Sequence, residues 1–197
     1  MQLRPRLVGA AKTLLFSLVF TMVCAAQTAR KDVSSLIAAG KNTGNQYQNN
    51  YLGLTFTAEG GHVKAGSVTD LAGGRARIVE ALSDSSAPDS SYSFAILVDG
   101  AAKYTRIKSP AQYVRSVRQS LEKEGLRTLR EEFRIEISGM PFTGAIMEVP
   151  GEQVPYFRGI YSTFASGYIV SFDLTARKEQ LIEKLVSSLI KFKVQSN

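Results

Sequence analysis

The chemistry open to this chain is bounded by side chains it barely has. Its 197 residues include one histidine, His62, and one cysteine, Cys24. A Ser–His–Asp arrangement would have to use His62, and no Gly-x-Ser-x-Gly elbow precedes a predicted helix. His62 follows "YLGLTFTAEGG", in which Leu52, Leu54, Phe56 and Ala58 alternate with Gly53, Thr55 and Thr57. That two-residue period predicts a strand with one buried face, and it places His62 in the glycine-rich turn beyond it. There it has no second histidine to share a metal and no thiol to activate.

The acids are equally unpromising as catalysts. Glu131 and Glu132 are adjacent on a predicted strand, so they point to opposite faces and cannot act together. Glu148, Glu152 and Asp173 are scattered single acids. Asp84 and Asp89, in "SDSSAPDSS", lack the regular oxygen spacing and terminal carboxylate of a calcium loop. "LAGGRAR", at 71–77, lacks the Gly-Lys-Ser/Thr ending of a phosphate-cradling loop. No catalytic residue, cofactor or metal is expected.

The elements that would position any site follow from periodicity and punctuation. "RKDVSSLIAAGKNTGNQYQ", from Arg30 to Gln48, reads as a short helix or loose arm followed by a linker. Residues 76–82 fit either a helix turn or a strand, and "YSFAILVDG" at 92–100 a buried central strand. Ser109 as cap, Pro110 at the first helical position and Gly125 as stop predict a helix over 109–125. Its apolar stripe is Tyr113, Val114, Val117 and Leu121, with Arg115, Arg118, Glu122 and Lys123 on the other face. From Leu129 the period switches to two. Short turns at 138–141, 150–155 and 165–167 then divide a meander of about four antiparallel strands. The aromatic set Tyr156, Phe157, Tyr161, Phe164 and Tyr168 on that meander is expected mostly to be core. Thr175 is the expected cap of a last helix bearing Leu181, Ile182, Leu185 and Leu189, and "KFKV" closes the chain as a short strand. The fold class this implies is α+β: a single-domain α/β/α sandwich whose central meander sheet is covered by amphipathic helices.

The N-terminus states an address. Arg4, Arg6 and Lys12 precede "TLLFSLVFTMVCAA", an uncharged apolar run ending in small residues. It is shorter than the roughly 20 residues needed to span a bilayer, and the arrangement is that of a secretory signal peptide. Cleavage is expected near Ala26, giving a leader at 1–26, an arm or linker at 27–46 and the domain at 47–197. "TMV" before Cys24 argues against a lipoprotein, and no span is expected in the mature chain. Without its leader the chain has 21 basic and 17 acidic residues, or +4, too mild to suggest nucleic acid.

Charge is locally concentrated. Between Lys103 and Arg134 nine basic residues face four acids. If the helix exposes its arginines beside the following strand, Arg115, Arg118, Lys123, Arg127, Arg130 and Arg134 form a basic binding face. Such a face suits an anionic lipid surface or an acidic protein partner, with strength that falls as salt rises.

"YQNNYLGLTFTAEGG" resembles the opening of the PsbP-like secreted domains, the sandwich shared with the Mog-type Ran-binding proteins. Tyr47, Asn49, Gly53, Leu54 and Phe56 match its Tyr-x-Asn-x-x-x-Gly-(aliphatic)-x-(aromatic) strand. Glu59, Gly60, Gly61 and His62 stand where the family commonly has Pro-x-Gly-Trp. The resemblance runs over residues 47–194, with a Gly-Tyr strand at 167–174 and a helix–strand ending. It implies a non-enzymatic binding module and brings no catalytic residues. The expectation is a non-catalytic exported accessory module of the bacterial envelope, periplasmic or secreted. Its two rivals are a small hydrolase or lyase using scattered carboxylates, and a structural subunit of an envelope complex.

Overall fold

The structure, a computed structural model, describes residues 40–58, 61–65, 76–83, 91–150 and 155–192. The leader, the arm up to residue 39, the glycine break at 73–74, the Asp84 and Asp89 loop and Glu152 lie outside them. In chain order the strands are Gly40–Thr43 (β1), Gln46–Asn49 (β2), Leu54–Thr57 (β3), Gly61–Ala65 (β4), Ala76–Ser83 (β5) and Tyr92–Gly100 (β6). The helix Pro110–Lys123 (α1) follows, then Arg127–Ile137 (β7), Met140–Val149 (β8), Tyr156–Ala165 (β9) and Tyr168–Ala176 (β10). Glu179–Leu189 (α2) and Ile190–Phe192 (β11) close the chain.

Every pairing is antiparallel. One sheet has four strands in the order β1-β2-β3-β11, and the other has seven in the order β4-β5-β6-β10-β9-β8-β7. The meander is therefore real, running β7-β8-β9-β10, but the expected helix-covered α/β/α sandwich is not what forms. The described chain is mostly strand, with two sheets and only two α-helices. Residues 40–46, expected to be linker, begin a hairpin whose edge strand β1 is almost wholly exposed. With one face in water, β1 shows no apolar alternation to betray it. His62 is likewise corrected: its backbone lies within β4, opposite Leu82, and not in a turn. The last helix is capped by Lys178, with no side-chain cap bond, while Thr175 belongs to β10.

The core lies between the two sheets. Alternate residues of β6 and β10 face inward: Phe94, Ile96, Val98, Val170, Phe172 and Leu174 are all at most 1% exposed. Phe56 of the small sheet stacks on Phe94 at 4.3 Å between ring centroids, and Phe172 continues the stack to Phe94 and Phe142. Each such ring contributes about 1.5–3 kcal/mol through burial. Helix α2 shares this inner side through Ile182, Leu185 and Val186. The far side of the seven-stranded sheet is met by α1, where Leu121 packs on Met147 and Ile160.

Two glycines let one ring lie flat on the inner face. A Cβ on Gly144 would stand 2.6 Å from the Tyr161 ring and 2.9 Å from Phe133, and one on Gly159 would collide with Ile182. Tyr161 is fully buried, and that burial pushes its phenol well above the ordinary range.

The Tyr47-x-Asn49 pattern has a local cause. Asn49, itself fully buried, accepts from the Leu52 N–H at 3.1 Å and donates to the Tyr47 hydroxyl at 3.0 Å. Gly53 then takes φ +62°, a left-handed value that favours glycine. These residues build the β2–β3 turn, and Tyr51 at its tip is 42% exposed, against Tyr168 in an edge-to-face contact at 6.2 Å.

Candidate functional site

Helix α1 starts as its sequence directs: the Ser109 hydroxyl accepts from the Gln112 N–H, and Pro110 occupies the first turn. Tyr113, Val114 and Leu121 turn inward, and so does Arg118, which is 8% exposed and not on the solvent face. Its Nε donates to Glu132 of β7 at 2.7 Å and its guanidinium to Glu122 at 2.7 Å. Arg115 donates to the other Glu132 oxygen at 3.0 Å, and the Thr128 hydroxyl donates to Glu122 at 2.6 Å.

The electrostatics follow from those partners. Burial alone would raise Glu132, but hydrogen bonds from Arg118 and Arg115 outweigh it and hold the carboxyl below its usual range. Glu122 is also lowered, first by the Thr128 hydroxyl and then by Arg118. Arg118 is raised, chiefly by its bond to Glu132. A carboxylate held this firmly ionised can accept hydrogen bonds but is a poor general acid. The network clamps α1 to β7.

The remaining members of the expected basic face separate. Phe133 pairs with Gly144 on the inner side of the sheet, while Glu132, its neighbour, meets α1 on the outer side. Arg130 goes with the inner set: it stacks over Phe133 at 3.9 Å and bonds Glu183 of α2. Arg127 bonds Glu148 through Nε at 2.7 Å and through a second nitrogen. Arg134 is exposed, paired in register with Thr143 one position beyond Phe133, hence on the outer side. Lys123 is exposed at the end of α1. The six therefore do not converge: Arg118 is buried, Arg115, Arg127 and Arg130 are matched by acids, and β7 divides the set between its two sides.

A polar stripe missed by periodicity runs along the outer side of β9 and β10. Arg158 and Asp173 form a two-point pair at 2.9 and 2.6 Å. The hydroxyls of Ser162 and Ser171, both buried, meet at 2.8 Å. Nearer α1, the Tyr104 hydroxyl donates to the buried Asp99, and the Tyr104 ring meets Tyr113 edge-on. The Arg158–Asp173 pair was open to discovery from sequence. A two-residue turn at 166–167 sets Arg158 opposite Thr175, which puts Asp173 on the diagonal within side-chain reach. Asp173 is the first cause that raises the Arg158 guanidinium. Among the described residues, no group of three or more His, Cys, Asp or Glu could hold a metal ion.

A third cluster lies at one end of the molecule. There the β2–β3 turn with Tyr51, the β9–β10 turn at Ser166 and Gly167, and the end of β6 come together. The Ala101 N–H donates to the Gly167 carbonyl at 3.1 Å. Lys103, Arg106 and Lys108, all exposed, follow on the segment leading to α1. They belong to the basic stretch from Lys103 to Arg134 but precede the helix on which the expected face is centred.

The architecture is that of the PsbP-like domains. The solution structure of the cyanobacterial PsbP protein (CyanoP) from Synechocystis sp. PCC 6803 superposes with a TM-score of 0.54 at 11% identity. The match covers 75% of this chain and 91% of that one. LpqN of Mycobacterium tuberculosis, described as involved in cell envelope biogenesis, aligns at a TM-score of 0.43 and 8% identity, over 68% and 84% of the two chains. No protein-family model and no curated protein matches the sequence.

Proposed function

We propose that the chain is a non-catalytic binding or accessory module exported to the bacterial envelope, where it meets a protein partner or an anionic surface. The observation that carries this reading is how the carboxylates are spent. Glu122, Glu132, Glu148, Asp173 and Glu183 each lie in an ion pair with an arginine. At Glu122 and Glu132 the shift is downward, away from the poised values that acid–base catalysts need. A hydrolase or lyase would require two convergent acids with at least one raised. The PsbP-like fold and the leader-like sequence at 1–26 agree with export. Among the described residues no helix is long and apolar enough to cross a membrane. A structural subunit would present a broad apolar patch, whereas Tyr51 is the exposed large hydrophobic residue of the described set.

The test is fractionation of the producing cells combined with capture by the exported chain. The expected result is recovery with the envelope, released by raised salt. Turnover of an ester, amide or glycoside that disappears on Glu132→Gln or Asp173→Asn, with the fold intact, would sink the reading.

A further inference from the structure

We infer that residues 127–132, the first half of β7, form a strap that detaches from β8 while the rest of the fold stays closed. This goes beyond the binding reading and does not depend on it. The backbone pairing is interrupted there. Arg127 stands opposite Glu148 and Phe133 opposite Gly144, so seven residues of β7 face five of β8, with register shifts on both sides of Arg130. Each extra residue is a bulge that breaks the ladder locally. β7 is also the last strand of its sheet, so no neighbour on its other side makes up the loss.

Second, the strap lacks apolar anchorage. Leu129 is its one aliphatic side chain, and it is only half-buried. The core contacts of β7 come from Phe133, Ile135 and Ile137, beyond the strap. Segments with few buried apolar contacts open locally at lower cost than the fold unfolds.

Third, polar stitches hold it instead, on both sides of the sheet. Outside, Glu132 accepts from Arg115 and Arg118, and the Thr128 hydroxyl donates to Glu122. The bulge turns Arg130 to the inner side, against the alternation counted back from Phe133, and there it meets Glu183. Arg127 ties the start of the strap to Glu148. The Arg130 and Arg127 pairs are exposed enough that water replaces them at little cost.

Fourth, a group beneath the strap gains from its opening. Tyr161 is fully buried, its ring edge-on to Phe133 at 6.0 Å, and its hydroxyl has no hydrogen-bond partner among the described residues. That hydroxyl is close enough to Glu183 and Arg130 to feel both charges. Lifting the strap carries Arg130 away and lets water reach the phenol, which offsets part of the opening cost. It also bares β8 from Ile146 to Glu148, an edge able to pair with another strand.

The experiment is nitration of the exported chain by tetranitromethane, with Tyr161 followed by peptide mass mapping. Reaction at Tyr161 is expected through the opened strap. Glu132→Ala removes the stitches from Arg115 and Arg118 and should speed it about tenfold or more. Asn49→Ala weakens the small sheet by a similar amount but should leave the Tyr161 rate unchanged, because the Asn49 contacts are equally present with the strap open or shut. With Cys24→Ser, the pair Arg127→Cys and Glu148→Cys sets two thiols at opposed positions. Their disulfide should suppress nitration of Tyr161, and reduction followed by alkylation should restore it. This arm decides the matter even if Glu132→Ala does not fold. The inference falls if Tyr161 is not nitrated in the chain without the disulfide, or if the disulfide leaves the rate as it was. It also falls if a folded Glu132→Ala does not speed the reaction, or if Asn49→Ala speeds it equally.

Discussion

At Ser138 and Ser166 the backbone is left-handed, with φ of 50° and 51°, each just before a glycine that is also positive. These are two-residue hairpin turns in which asparagine or glycine normally takes the first place, because a Cβ there crowds the next carbonyl. Ser166→Asn should raise stability by about 0.5–1 kcal/mol, read as a higher urea midpoint. Ser138→Asn should gain less, since the serine hydroxyl donates to the Ile190 carbonyl at 2.9 Å. Gly144→Ala should cost about 1–3 kcal/mol by pressing a methyl into the Tyr161 ring. Asn49→Ala should cost a similar amount, because it leaves the buried Tyr47 hydroxyl and the Leu52 N–H without their partner. The turn glycines and the Tyr-x-Asn pattern were readable in the sequence, since each is a local solution to a local backbone problem. The flat seat of Tyr161 was not, because its two glycines lie on different strands and meet only when β8 and β9 align.

For single elements, legibility tracked punctuation. Helix α1 was found nearly to the residue because Ser109, Pro110 and Gly125 mark both ends. Arg118 was misplaced because a helical stripe distinguishes apolar from polar, and a guanidinium can turn inward when a carboxylate awaits it on the next strand. Replacing Arg118 by alanine leaves one oxygen of Glu132, whose side chain is 7% exposed, without its partner and Arg115 as the remaining cation, and should cost about 1–3 kcal/mol. Replacing both by methionine should recover most of that loss. The pH dependence has a definite sign. Glu132 is lowered in the folded state, so its contribution is complete above the ordinary carboxylate value of about 4.3. It is lost as pH falls through the depressed value. Urea midpoints followed from neutral pH downward should therefore drop below about pH 4.3, and Glu132→Gln should flatten that drop.

On the scale of the molecule, the four-strand meander and both helices could be anticipated, but the second sheet could not. β1 has no apolar alternation, and although the sequence marks a short closing strand, β11, nothing local says that it pairs with β3 in a second sheet. Covering the inner side takes a sheet as well as a helix, which is why the expected layering was incorrect. Ending the chain after Leu189 should remove the β3–β11 pairing and the fully buried Ile190. The cost should exceed about 3 kcal/mol, with a lower denaturation midpoint and aggregation through the bared edge of β3.

The pairing of Phe56 with Ile190 joins positions 134 residues apart. Contacts so distant in sequence form late. A chain that emerges from its N-terminal side therefore has no closing strand for its second layer until residue 190 is free.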